Sequence, residues 1–126
     1  MEKKITPGLR WTFFVHAVAM GFFALIYLAV PVWWGDLTGC YANQLPAVYR
    51  LWGLTILGYA ISSFLAFRED SWKAVRILAQ MNRVIAVLFP VLLLAAIFGW
   101  DFPAIAWMPL VVMTGFAAAF NAFIPR

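Results

Sequence analysis

Val84-Ile-Ala-Val-Leu-Phe-Pro-Val-Leu-Leu-Leu-Ala-Ala-Ile-Phe98 is a run without a polar side chain, and its reading decides the fold. As a helix rising 1.5 Å per residue it covers about 22 Å, and its flanks extend it across the roughly 30 Å of a bilayer's hydrocarbon. Upstream, Trp72, Lys73 and Arg76 give an amphipathic start. Downstream, Gly99-Trp100-Asp101-Phe102-Pro103 predicts a tight turn. The chain therefore crosses a membrane between about 72 and 98. Pro90 lies inside this helix; it should kink it and free the carbonyl near Ala86, because proline has no N–H to donate.

Three similar runs surround this one, at about 9–33, 46–67 and 104–123. Of 126 residues, 66% are hydrophobic and 11% charged, against roughly a quarter charged in soluble domains. The mean hydropathy is +0.91. Four crossings and short loops use up the chain, predicting an all-α, integral membrane four-helix bundle. Short connections force antiparallel neighbours, hence up-down-up-down topology. The first run follows Lys3, Lys4 and Arg10 as a signal peptide would, but it is too long, and Trp33 and Trp34 are too bulky for a cleavage site. Pro46 suits the first turn of the second span. Asp70 or Ser71 is placed to cap the third.

Charge then orients the bundle. Lys3, Lys4, Arg10, Arg68, Lys73, Arg76 and Arg126 fall at the termini and in the second loop, against Arg50 alone on the other side. Both termini should face the cytoplasm of the cell (inner) membrane. Trp33, Trp34, Trp100 and Trp107 form an outer belt, Trp11 and Trp72 an inner one. The net charge of +4 is thus a matter of topology, and no nucleic-acid partner is expected. The lone Cys40 leaves no partner for an internal disulfide and no paired thiols for a redox relay.

Small residues recur at helical spacing, three or four apart: Ala17, Gly21 and Ala24; Gly58 and Ser62; Gly115, Ala119 and Ala122. Such stripes let helices approach closely, within one chain or across a homodimer. Twelve Phe and seven Trp exceed what interfacial belts need. Phe13, Phe14, Phe22, Phe23, Phe64, Phe89, Phe98, Phe116 and Phe120 either pack, face lipid or line a pocket for a flat apolar ligand.

The one candidate ligand-binding set is polar. His16, Ser62, Ser63, Gln80, Asn82, Arg83 and Asn121 come from all four spans, in the half of each nearer its cytoplasmic end. They either satisfy one another or line a cavity open to the cytoplasm. Arg83 would cost about 2.5–3.5 kcal/mol at mid-bilayer, but its side chain leans toward the headgroups. It shares a face with Lys73, Arg76 and Gln80 that suits anionic lipid. Arg50 leans outward and can pair with Asp36 or Asp101. His16, the sole histidine, shares a face with Thr12, Met20 and Tyr27; it cannot ligate a haem on both sides. No Asp or Glu lies within a span, no catalytic set or metal cluster is assigned, and no cofactor is identified.

Tyr49-Arg50-Leu51-Trp52-Gly53, Leu57-Gly58, Ser62-Ser63 and Phe67-Arg68-Glu69 together resemble the second span of the small four-helix bacterial and archaeal membrane proteins grouped as DoxX-like. The motif itself rests on Arg50, Gly53 and Gly58. The resemblance implies the four-helix fold and, through the proteins that give the group its name, an association with a membrane thiosulfate:quinone oxidoreductase. The function expected from the sequence is a non-enzymatic accessory or scaffold subunit of a membrane complex, in contact with other membrane-protein subunits or a second copy. The alternatives are a carrier for a small or lipophilic ligand at the inner-leaflet polar layer, or a quinone-linked redox subunit.

Overall fold

A computed structural model describes residues 3–39, 46–100 and 103–125 of the chain. It is all-α: α1 (Pro7–Ala29), α2 (Pro31–Thr38), α3 (Pro46–Arg68), α4 (Trp72–Gly99), a 3₁₀ turn (Ala104–Ala106) and α5 (Trp107–Phe123). Four stretches are long and apolar enough to cross a membrane: α1, α3, α4, and the 3₁₀ turn continued by α5. The protein is a multi-pass membrane protein.

Two boundaries differ from the sequence expectation. The first span ends at Ala29, not near Trp33. Val30 leaves the helical region (φ −133°, ψ 47°), as a residue preceding proline is pushed to do. Pro31, needing no N–H partner, starts α2 at its first position. Asp36 therefore lies in the last turn of a short helix, and Gly39 closes that helix at φ 70°. Residues 40–45 of the expected first loop lie outside the described residues, as do Asp101 and Phe102 of the expected third turn. The other difference is the cap of α4. Neither Asp70 nor Ser71 caps it through a side chain; instead the Trp72 N–H donates to the Lys3 carbonyl at 2.9 Å.

That bond belongs to a clasp at the end of the bundle where the termini meet. Lys4 pairs antiparallel with Ser71, and the Ile5 N–H donates to the Asp70 carbonyl at 3.0 Å. The Arg10 guanidinium binds the Asp70 carboxylate and the Glu69 carbonyl. Thr6 caps α1 by accepting from the Leu9 N–H and donates to the Phe123 carbonyl at 2.9 Å. Beneath the clasp lies the main core: Ile5, Leu9, Phe13, Val75, Ala79, Ala86, Phe116 and Phe120, with contributions from α3. Phe13 and Phe120 are fully buried and meet edge to face, 5.6 Å between centroids.

The helices pair unequally. α1 lies along α3 most extensively and α4 along α5, while α3 and α4 barely meet. The first seam is built from small residues: Ala17 and Ala24 are buried, and Gly21 faces Ala60. On α3 the facing residues are Gly53 and Ala60, not Gly58 and Ser62. A Cβ on Gly53 would sit 3.0 Å from the Tyr27 Cβ and 3.1 Å from the Leu28 backbone N, whereas one on Gly58 would meet nothing within 4 Å. Gly115 likewise faces open space, so the α5 stripe is no internal seam at that position. α4 runs unbroken through the buried Pro90. Away from the clasp, a small cluster of Leu93, Ala106 and Leu110 and the Phe98–Trp107 ring contact help join α4 to the chain's last span.

Candidate functional site: a cavity between two hairpins

Close packing near the termini and sparse contact between α3 and α4 leave the two hairpins apart at the far end of the bundle. The space between them is a cavity of about 550 Å³, within the roughly 300–1,000 Å³ of small-molecule sites. α1 contributes His16, Met20, Phe23 and Tyr27; α3 contributes Trp52, Thr55, Ile56 and Tyr59. Across from them stand Asn82, Ile85, Phe89, Leu92, Leu93 and Ala96 of α4, with Val112 and Met113 of α5. Trp34 and Thr38 of α2 and Trp100 lie at the far end. Between His16 and Tyr27 the wall rises about 16 Å by helical geometry.

The walls are apolar and the floor is not. Ser63 is fully buried at the α1–α3–α4 junction, His16 is 4% exposed and Asn82 3%. The Ser63 hydroxyl lies 2.8 Å from His16 Nδ1 and accepts from Asn82 Nδ2 at 3.3 Å. A single direction uses each proton in this chain: the amide donates to the hydroxyl, and the hydroxyl donates to the imidazole. Phe116 and Phe120 hold the imidazole edge to face, with centroids 4.8 and 5.7 Å away. One atom is left over. Asn82 Oδ1 is buried and has no hydrogen-bond partner, a state that costs about 1–3 kcal/mol. A buried orphan of this kind calls for a specific explanation.

The sequence set thus divides. His16 and Asn82 join, through Ser63, at the cavity floor. Ser62 turns away and donates to the Tyr59 carbonyl at 3.0 Å. Asn121 is exposed and donates to the Ala117 carbonyl at 2.7 Å. Gln80 is exposed with Lys73 and Arg76, beside the half-buried Arg83, so these four share an outer face of α4 and none lines the cavity. Arg50 and Asp36 are exposed, and among the described residues the one ion pair joins Arg10 to Asp70; Asp101 lies outside them. The cavity also lies on the other side of the polar layer from the one expected. The clasp and core fill the terminal end, and the open space begins above His16 and Asn82. Of the aromatic residues considered for a pocket, Phe23 and Phe89 line it. Phe13, Phe116 and Phe120 are core, and Phe22, Phe64 and Phe98 point outward.

Sequence reasoning did not find Ile56, Tyr59, Val112 or Met113. Apolar side chains facing a cavity look the same in sequence as those facing lipid. Among the described residues, no group of three or more His, Cys, Asp or Glu could hold a metal ion. What this arrangement can do is bind: it offers a mainly apolar body site with His16 and Asn82 at its floor and Tyr27 and Tyr59 on its wall, and the Ser63–His16 contact lies beneath it. That contact does not make a hydrolytic site, because Ser63 is fully buried and does not line the cavity. No family model, no curated protein and no solved structure matches the chain.

Proposed function

We propose that the protein binds a lipophilic small molecule in the cavity between its hairpins. It sits in the cell membrane, with both termini cytoplasmic and the cavity in the outer half. The orientation is supported by Lys3, Lys4, Arg10, Arg68, Lys73 and Arg76 at the clasp end, where an excess of Lys and Arg marks the cytoplasmic side. The observation that carries the binding reading is the chamber of about 550 Å³ itself, mainly apolar, with His16 and Asn82 at its floor; an apolar cavity with a few polar groups is how sites hold and orient a greasy ligand. Mass spectrometry of lipids retained through purification tests it. The wild type should carry a bound lipophile that Ile56→Trp, which fills the chamber from α3, releases. Equal retention by both proteins, or none by either, contradicts the reading.

A second role favoured by a separate observation is that of a subunit in a membrane complex. Gly58 and Gly115 present bare backbone on two helices, where a partner helix can approach closely. The DoxX-like resemblance fits here rather than at the cavity, since Gly53 packs the α1–α3 seam and neither Arg50, Gly53 nor Gly58 lines the chamber. In-cell crosslinking through cysteines placed at 58 and 115 should capture a neighbouring protein; recovery of monomer alone counts against it. A quinone-linked redox role is the narrower version of both readings, and a purified sample free of extracted quinone would exclude it.

A further inference from the structure

We propose that the outer face of α4 is a binding site for one anionic phospholipid, whose headgroup is held by Lys73, Arg76 and Arg83. This goes beyond the chamber reading and does not depend on it, since none of the three lines the chamber. At 3.6 residues per turn, Lys73, Arg76, Gln80 and Arg83 fall within an arc of about 80°. The first three are exposed and Arg83 is half-buried. Arg83 stands one turn from Ala79 and Ala86, both buried in the core shared with α5, so its stem rises at the edge of the α4–α5 seam. Side chains on a helix lean toward its N-terminus, which for Arg83 is the direction of Gln80 and Arg76.

No carboxylate of the described residues neutralises this group. The one ion pair among them joins Arg10 to Asp70. Glu69, also beside the start of α4, is in no ion pair, and Asp36 belongs to α2 at the opposite end. Cations in a membrane-crossing helix ordinarily have a partner, and the partner of complementary charge at this depth is a lipid phosphate. The rest of the face fits the rest of a lipid. Val87, Val91 and Leu94 continue the same arc and are 43%, 59% and 38% exposed. From Arg83 to Leu94 the helix rises about 16 Å, close to one leaflet's half of the roughly 30 Å hydrocarbon core. Acyl chains can lie along these residues while the phosphate meets the cations. A zwitterionic headgroup would bring its own ammonium against three positive charges, so a headgroup of net negative charge is favoured.

Native mass spectrometry of the full chain, released from detergent with equimolar phosphatidylglycerol and phosphatidylcholine of identical chains, tests the site. The expected result is one phosphatidylglycerol per chain, favoured over phosphatidylcholine about tenfold and not displaced by excess glycerol 3-phosphate. Arg76→Gln/Arg83→Gln should lose the preference. Lys4→Gln/Arg68→Gln removes the same charge from the same end of the bundle but not from α4, and should keep it, as should Ile56→Trp. Equal binding of the two lipids by the unmutated protein overturns the inference, whatever the variants do. Retention of the preference in Arg76→Gln/Arg83→Gln overturns it too. So does an equal loss in both charge-removing pairs, since the attraction would then be one of net charge alone. Displacement by glycerol 3-phosphate would make the ligand a soluble anion, and loss of the preference in Ile56→Trp would move the lipid into the chamber; either result overturns a lipid site on α4.

Discussion

Replacing Asn82 by leucine should make the ligand-free protein more stable. Asn82 contributes one hydrogen bond between helices, from Nδ2 to the Ser63 hydroxyl at 3.3 Å. Interhelical hydrogen bonds in membrane proteins contribute about 0.6 kcal/mol on average, and this one is long. Against that stands Oδ1, buried with no partner, at a cost of about 1–3 kcal/mol. Leucine removes both atoms, keeps the volume close, and can extend into the cavity that Asn82 already lines. Ser63 retains its bond to His16, so the substitution orphans no further group. The net change is a stabilisation of about 0.5–2 kcal/mol. Unfolding by SDS titration in mixed micelles, with helicity followed by circular dichroism, measures it in ligand-free protein. Destabilisation by more than about 1 kcal/mol would refute the reasoning, because Oδ1 would then have a partner in the empty state.

Other substitutions separate the parts of the structure. Ser63→Ala strands His16 Nδ1 and Asn82 Nδ2 together and should cost about 1–3 kcal/mol in the same titration, the opposite sign to Asn82→Leu. Gly53→Ala must force α1 from α3, since its Cβ would meet the Leu28 backbone N at 3.1 Å; a loss of about 1–3 kcal/mol is expected for such overpacking, with Gly58→Ala neutral or slightly stabilising. The clasp should weaken in acid. The Arg10 guanidinium, by hydrogen bond and charge, holds the Asp70 carboxyl below its ordinary value of 3.8. The clasp's ionic contribution is therefore complete above that value and is lost as pH falls through the lowered one. The exchange protection of the Ile5 amide, which donates to the Asp70 carbonyl, should hold from neutrality to about pH 5, fall in stronger acid, and lose this dependence in Asp70→Asn.

Spans and belts were legible in the sequence because length and apolarity act on every residue of a crossing. Trp33, Trp100 and Trp107 of the expected outer belt and Trp11 of the inner one are exposed, whereas Trp34 and Trp72 are half-buried. Pro31 was the exception: an apolar run through it reads as one helix, and only the restriction proline places on Val30 separates α2. The polar layer was legible as a level and not as a site. His16, Asn82 and Asn121 sit at similar depths, but helix rotation decides which turn inward, and rotation follows from packing. Close approach at Gly53 fixes α3 against α1, which places Ser63 inward and leaves Ser62 facing its own backbone. The cavity was illegible for a related reason. It exists because α3 and α4 diverge, and divergence is a property of two hairpins joined by the clasp and by Phe13, Phe116 and Phe120.

The most direct test of the account maps where a lipophilic molecule lodges. A hexadecanol analogue with a diazirine on its chain, photolysed on the protein in nanodiscs, labels what its chain touches, and peptide mass spectrometry reads the positions. Met20 and Met113 line the cavity, and Met113 is 7% exposed, whereas Phe22 and Leu25, on the opposite face of α1, are 60% and 64% exposed. The account predicts labelling at Met20 and Met113 that excess unlabelled hexadecanol removes, and labelling at Phe22 and Leu25 that it does not. Labelling confined to the outward residues, with Met20 and Met113 untouched, would contradict the existence of an occupied chamber between the hairpins.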